Sequence, residues 1–398
     1  SVYSEIPIHL RQYIVDQCYD KYNWRDHAVW RYVMNRNLEY LPKVAHESYV
    51  EGLKKTGISI NKIPALDEMN EILGKIGWKA VCVSGFIPPE AFMEFQANRI
   101  LVIAADIRHL KHIKYTPAPD ILHEAAGHAP IIANQEYAKY LEEFGKVGAK
   151  AFSSAKDHEI YTLIRELSIL KALADADETR VQELEDQLAI LAASGGHPSE
   201  MSLLRNLHWW TVEYGLIGTI ENPLIYGAGL LSSIGESVSA MKAEIIKIPY
   251  SIEASHFNFD ITKMQPQLFV TPDFKYLNTV LNEFSSQMAF SNGGAEGILK
   301  AIESKHTATC ELSSGLLISG IFTEAVLQGP ALVYIKTSGP TALGYKGQML
   351  LNHGKDYHSD GYGTAVGVLQ NSNKPIRFLS DEDLKELNII QGQLSELE

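Results

Sequence analysis

Apolar positions over residues 1–80 fall at mixed, mainly helical spacing. They predict helices over Cys18–Asn37 and Leu41–Lys55 and, behind a proline, over Ala65–Ile76. Two short β-branched runs, Lys79–Val83 and Arg99–Ala104, read as buried strands. Pro119-Asp120 signals a helix over Ala118–Gly127, with Gly127 closing it and Pro130 just beyond. Between 149 and 205 the pattern changes. Ile160, Leu163, Ile164 and Leu167 share one helical spacing, and Val181, Leu184, Leu188 and Leu191 share another. The polar break Asp175–Thr179 between them predicts a helical hairpin, ended by the turn Ser194–Pro198. A helix carrying Trp209, Trp210 and Glu213 follows, and Lys263–Leu268 leads into another helical stretch, Phe274–Phe290. After Gly293 short apolar runs (Leu316–Phe322, Ala331–Ile335, Gln348–Leu351, Thr364–Leu369) alternate with Gly, Ser, Pro and Asn, which predicts strands. Ser380–Asp383 starts a last helix with Leu384, Leu387, Leu394 and Leu397 behind it and Gly392 within it. No stop signal precedes Glu398, so the natural polypeptide is expected to run further. The expected fold is a mainly α domain with a few short strands over 1–293, interrupted by the hairpin insertion at 149–205. A small β-rich C-terminal domain over 294–398 completes it.

Composition narrows the function. The chain has 398 residues, enough for a large core and more than one folding unit, with ordinary hydrophobic (45%) and charged (21%) content. A net charge of −13 leaves no basic stripe for phosphates, so nucleic acid is not an expected partner. Cys18, Cys82 and Cys310 are odd in number and scattered, which points to a reducing, cytoplasmic location rather than a disulfide framework. The N-terminal stretch has no signal-peptide h-region, and no apolar run approaches the ~20 residues needed to span a bilayer.

Chemistry concentrates in TPAPDILHEAAGHAP (Thr116–Pro130) and WTVEYGL (Trp210–Leu216 with Thr211 to Glu213 at its centre). Two imidazoles, His123 and His128, and one distant carboxylate, Glu213, make the ligand set that holds non-haem Fe(II) on one face. The histidines are five residues apart, and five steps of a regular helix rotate by roughly 140° beyond a full circle. Gly127 is expected to end the helix in a left-handed conformation and swing His128 round. Glu124 is better placed to support the site than to bind the ion.

TPAPDILHEAAGHAP resembles the iron-binding signature of the pterin-dependent aromatic amino acid hydroxylases. WTVEYGL resembles the third-ligand segment of that family, and YGAGLLSS (Tyr226–Ser233) its substrate-pocket segment. SGFIPPEAF and ADIRHLKHIKYTP upstream match in order and spacing, so the likeness covers roughly residues 20–290 outside the insertion.

The resemblance implies an enzyme that inserts one atom of O2 into an aromatic ring, with Fe(II) at His123, His128 and Glu213 and with tetrahydrobiopterin as cosubstrate supplying electrons. It implies that Arg108 grips the carboxylate of the amino acid, that Thr116 and Ser232 hold its polar end and that Trp209 walls the ring pocket. For the pterin it implies stacking on Phe92, a backbone cradle at Gly85 and Ile87, contact with the carboxylate of Glu124, and His208 beside the ring. Pro119 matches a pocket-lining proline.

Some positions depart from the family pattern. Pro88-Pro89 alters the pterin loop, and His208 stands where animal members commonly have tyrosine. The insertion lengthens the interval from His128 to Glu213, which a surface loop tolerates because its entropic cost grows slowly. Ile261 stands where tyrosine hydroxylases carry an aspartate, which disfavours tyrosine and leaves L-phenylalanine as the expected substrate. Tryptophan or another aromatic amino acid is the alternative. A zinc hydrolase with the same three ligands and Glu124 as base is the rival enzyme class, and a binding scaffold with a vestigial metal site is the non-enzymatic one. His109, His112, His353 and His358 are further histidines with metal-like neighbours, and the turn-rich stretch His353–His358 reads as a solvated loop rather than a metal site. Oligomeric state and the roles of the insertion and of 294–398 stay open.

Overall fold

A computed structural model describes residues 5–83, 85, 87–110, 113, 120–172, 177–194, 197–259, 261, 264–367 and 378–386. It divides into two compact units, Ser1–Ser291 and Asn292–Glu398.

The first unit opens with helices α1 (Trp24–Tyr40), α2 (Glu47–Thr56) and α3 (Leu66–Gly74). The helix expected over Cys18–Asn37 begins only at Trp24. Asn23 accepts from the N–H groups of Arg25 and Asp26, and Asp26 reciprocates, which fixes the start. Strand β1 (Lys79–Val83) pairs in parallel with β2 (Ile100–Ala104) across helix α4 (Pro89–Ala97). Nine of these ten strand positions are buried, as two-sided burial of a parallel pair requires.

The helix expected over Ala118–Gly127 does not stop at Gly127. Residues 118 and 119 lie outside the described residues, but the chain is helical from Ile121 and passes through a π turn at His123–His128 into α5 (Ala129–Ile132). Helix α6 (Gln135–Gly148) follows, buried through Tyr137, Tyr140, Leu141 and Phe144 at helical spacing. The insertion is a pair of packed helices, α7 (Ala155–Ala172) and α8 (Glu178–Ala193), with Asp177 capping the second. Residues 175 and 176 of the polar break before it, and residues 195 and 196 of the turn after it, lie outside the described residues. Helix α9 (Glu200–His208) runs into a second π turn, Trp209–Glu213.

Sequence periodicity missed the next feature, a four-stranded sheet. Its strands are β3 (Leu216–Gly218), β4 (Pro223–Ile225), β5 (Ile246–Pro249) and β6 (Gln267–Thr271), in the order β4-β3-β6-β5. These strands are three to five residues long, too short for alternation to register. Helices α10 (Ala228–Leu231), α11 (Ile234–Ala240), α12 (Phe274–Ser286) and α13 (Ala289–Asn292) complete this part of the chain. One large core runs from Val29 to Met288 and includes Trp30, Tyr49, Tyr137, Tyr140, Trp210 and Phe269.

The second unit begins with a helix, α14 (Gly294–Ser304), which the apolar runs after Gly293 did not announce. It packs on a sheet in the order β10-β9-β8-β7, with β11 also pairing β9. The strands are β7 (Thr307–Glu311), β8 (Leu316–Gln328), β9 (Ala331–Tyr345), β10 (Gln348–Met349) and β11 (Gly363–Ala365). Strands β8 and β9 run well past the apolar runs that announced them, as a ladder with register shifts along it. A short helix, α15 (Asp381–Glu386), begins at the expected place, and residues 387–398 lie outside the described residues. No helix among the described residues is long and apolar enough to cross a membrane.

Candidate metal centre

Both π turns place candidate ligands. In the first, the N–H of Ala129 bonds the carbonyl of Glu124, a five-residue step that brings His123 and His128 together without ending the helix. Gly127 therefore does not act through a left-handed backbone, as expected from sequence. Its role is contact: a Cβ there would fall 2.6 Å from the carbonyl oxygen of Ala228. In the second turn the N–H of Tyr214 bonds the carbonyl of Trp209, again a five-residue step, and Glu213 ends the turn. Helix α10 lies against both turns, since a Cβ on Gly227 would come within 2.4 Å of the carbonyl oxygen of Glu213.

The Nε2 atoms of His123 and His128 stand 3.0 Å apart, and the Glu213 carboxylate reaches them at 3.1 and 3.3 Å. Among the described residues this is the only group of three or more His, Cys, Asp or Glu donors close enough to share an ion. The ring centroids are 4.7 Å apart and nearly perpendicular, so the lone pairs converge to one side of the line joining the nitrogens. The pair His353 and His358 makes a useful contrast. Its nitrogens are also 3.0 Å apart, but the ring centroids lie 5.3 Å apart and the planes differ by 22°. Those rings meet nearly end to end, the geometry of one N–H···N bond rather than of a chelate.

Burial alone would raise the carboxyl of Glu213, but the two imidazoles override it and hold the group well below the usual carboxylate range. His123 Nδ1 faces Ser232 Oγ at 3.0 Å, and that hydroxyl can donate onward to the carbonyl of Gly229 at 3.3 Å. A proton on Nδ1 fits this arrangement and leaves Nε2 free for an ion. The donor set fits iron. Glu124 stands 3.8 and 3.9 Å from the two Nε2 atoms, farther than Glu213. Burial, opposed by His128 and reinforced by the charges of Glu213 and Asp120, pushes its carboxyl up to about 8.

Arg108 was expected to present its fork to a ligand. In the structure its side chain is 1% exposed and the fork is engaged by Asp120, through Nε at 2.7 Å and Nη2 at 2.8 Å. Its Nη1 donates to the carbonyl of Ser232 at 3.1 Å, and Asp120 also accepts from the N–H of His123 at 3.0 Å. Burial would raise Asp120, but the guanidinium holds its carboxyl below the usual range. Asp120 was missed as a member of the site. The only signal was its place after Pro119, where it read as a helix start.

The remaining candidates divide. Thr116 lies outside the described residues. Trp209 stacks between Tyr214 and Phe259 at 4.4 and 4.2 Å, with its buried Nε1 lacking a hydrogen-bond partner among the described residues. Phe92 meets His208 edge-on at 5.6 Å, and Phe144 meets His208 at 5.2 Å. Burial pulls His208 down to about 4, and its buried Nε2 has no hydrogen-bond partner among the described residues. Such an orphaned ring nitrogen beside an aromatic ring suits a planar heterocycle rich in hydrogen-bonding groups, so these residues fit a pterin. Ile87 is half-buried and packs with Phe92 in a small core, whereas Gly85 is exposed. Another missed contact is the short hydrogen bond from Tyr214 to Glu236, whose carboxyl burial pushes up to about 7.

Comparison with known proteins agrees with this geometry. The family model of biopterin-dependent aromatic amino acid hydroxylases matches residues 14–175 and 172–291. Phenylalanine-4-hydroxylase of Chromobacterium violaceum is 29% identical over 268 residues, which is 67% of this chain and 75% of that one. Phenylalanine-4-hydroxylase of Pseudomonas aeruginosa is 28% identical over 278 residues, 68% of this chain and 89% of its own. A crystal structure of the C. violaceum enzyme with bound iron(III) and 7,8-dihydrobiopterin aligns with a TM-score of 0.55 at 28% identity. It covers 71% of this chain and 88% of that one. Three donors of this kind would also suit zinc, so it is ancestry rather than the ligand set that decides against a hydrolase. The chain belongs to the biopterin-dependent aromatic amino acid hydroxylases, iron-dependent monooxygenases that act with a reduced pterin.

Proposed function

We propose that the chain hydroxylates L-phenylalanine to tyrosine. The observation that carries this reading is the convergence of His123, His128 and Glu213, with Arg108 one hydrogen-bonded step away through Ser232. Similarity to relatives named phenylalanine-4-hydroxylase supports the substrate, and Ile261 offers no charge for a phenolic hydroxyl.

When bound, iron and the reduced pterin supply the activation of dioxygen. The two imidazoles and Glu213 would hold the ion. Arg108 keeps two of its five N–H donors after serving Asp120 and Ser232, and these anchor the carboxylate of the substrate. Trp209, held rigid by its two stacking partners, walls the aromatic ring, and Ser232 and Thr116 serve its polar end. Phe92 and the neutral His208 hold the pterin, Gly85 and Ile87 border it and Glu124 bonds its ring. Apolar surroundings keep water from the reacting centre.

Iron-loaded protein is incubated with L-phenylalanine, oxygen and tetrahydrobiopterin, and tyrosine is measured by chromatography. Tyrosine forming only when pterin is present supports the reading, and preferential turnover of tryptophan redirects the substrate. Turnover by zinc-loaded protein without a reductant contradicts the reading. His123→Ala is expected to lose both iron and turnover, beyond the roughly 10–100-fold seen when only a supporting partner of a ligand is removed. Normal iron content in that variant removes His123 from the site.

A further inference from the structure

Trp209 is half-buried, and both of its faces are taken. The Tyr214 ring lies 4.4 Å from it at 21°, and the Phe259 ring lies 4.2 Å from it at 6°. Two rings that close and that parallel cannot share one face of an indole without colliding, so they sandwich it. What Trp209 can offer a substrate is therefore an edge, and an edge against the face of another ring is a favoured aromatic contact. The plane of the indole then decides where that edge falls.

Both neighbours in the stack are anchored. On the Phe259 side, Trp210 Nε1 donates to the carbonyl of Phe257 at 2.7 Å. Asn206 Nδ2 donates to the carbonyl of Ser255 at 2.7 Å and to Asn258 Oδ1 at 3.3 Å. On the other side Tyr214 is 5% exposed and is held at three points. Its N–H bonds the carbonyl of Trp209 at 2.8 Å, and its ring edge lies against Gly229, where a Cβ would come 3.0 Å from Cε2. Its hydroxyl donates a short hydrogen bond to Glu236, itself 6% exposed. Glu236 lies in the first turn of α11, where its N–H meets Ser233 Oγ at 3.4 Å, and Ser233 follows the Ser232 that stands behind His123. A phenylalanine at 214 would cover the indole with the same area, so the hydroxyl contributes direction. A bare ring is free to slide over its neighbour, and a ring tied at its para position is not. The carboxyl of Glu236, in turn, is tolerable at such burial because a donor meets it.

We propose that Glu236 is a positioning residue which, through Tyr214, fixes the plane of Trp209 and so holds the substrate pocket to a single aromatic ring. This inference rests on the reading of Trp209 as the wall of that pocket. Without the bond the stack can slide and the indole edge retreats. A bicyclic ring then gains room that the smaller ring does not fill.

The test uses the full-length iron-loaded enzyme, calorimetric binding of L-phenylalanine, and turnover of L-phenylalanine and L-tryptophan with tetrahydrobiopterin. Tyr214→Phe keeps the stack and deletes the donor. Because that leaves the buried carboxyl alone, Tyr214→Phe with Glu236→Leu removes both partners together. Both variants are expected to bind L-phenylalanine about tenfold more weakly, with KM rising in step, as a displaced pocket contact produces. Their preference for L-phenylalanine over L-tryptophan is expected to fall about fivefold. Iron content, kcat and KM for tetrahydrobiopterin are expected to stay within about twofold, because only the substrate wall is altered. Glu236→Gln keeps an acceptor for the phenol and is expected to keep the affinity. L-Phenylalanine affinity and ring preference within about twofold of the parent in both variants overturn the proposal. A parallel loss of iron also overturns it, since the bond then supports the Glu213 turn instead. If Trp209→Leu binds L-phenylalanine as the parent does, it is the wall reading that fails, and a parent that does not bind L-phenylalanine sinks the substrate reading.

Discussion

A methyl group at Gly127 would press on the carbonyl oxygen of Ala228. Backbone cannot yield cheaply there, so the residue serves the iron site by letting α10 approach rather than by bending the chain. His208 offers a measurable consequence at the same scale. It is buried between Phe92 and Phe144, and burial moves its pKa from 6.5 down to about 4. As pH falls below 6.5 the unfolded chain takes a proton that the native state refuses. Stability present above that pH is therefore lost progressively toward pH 4, by roughly 3 kcal/mol at full effect. His208→Phe keeps the edge contacts and removes the titration. In the iron-free protein it is expected to flatten the fall of the urea midpoint between pH 6.5 and 4. Parallel curves for the two proteins would show that His208 does not carry this dependence.

At the scale of elements, the two π turns solve one problem twice: each shifts a ligand relative to a continuous helix. Pro130 helps to explain the first. It has no N–H for the carbonyl of Ala126, and the buried hydroxyl of Tyr49 donates to that carbonyl instead, at 2.9 Å. Tyr49→Phe leaves this buried carbonyl without that donor and is expected to cost about 1–3 kcal/mol of stability. Iron retention under chelator challenge is expected to fall with it, because the turn that loosens is the one holding His123 and His128. A stability loss with unaltered iron retention would separate the turn from the ligands. The signal for this turn was present in the sequence as HEAAGHAP, but Pro130 reads there as a terminator because Tyr49, which serves the Ala126 carbonyl in its place, is distant in the chain.

The whole molecule keeps its candidate chemistry in one unit. Every described site residue lies between Gly85 and Ile261, and the large core around them ends at Met288. A chain ending at Ser291 is therefore expected to fold cooperatively and to bind one iron with the stoichiometry of the full chain. An aggregated or iron-free product would show that the first unit needs the second. The family, too, is matched only as far as residue 291, so the second unit lies outside what the family model describes.

Short-range features were legible before any coordinates. The histidine pair, the two-strand signal at 79–104, the helical hairpin and the change of character after Gly293 each depend on residues near one another in the chain, where spacing and propensity act directly. Residue chemistry nominated Glu213 as the third ligand, and the resemblance to a known family strengthened it and added Arg108, since no local pattern joins either to the histidines. Folding alone settled the rest. It chose π turns over a broken helix, engaged the Arg108 fork with Asp120, put the Ser232 hydroxyl behind His123 and assembled four very short strands into a sheet. Each of these depends on a contact between distant segments, whose free energy comes from excluding water and pairing buried polar groups, and neither is encoded in the periodicity of a single stretch.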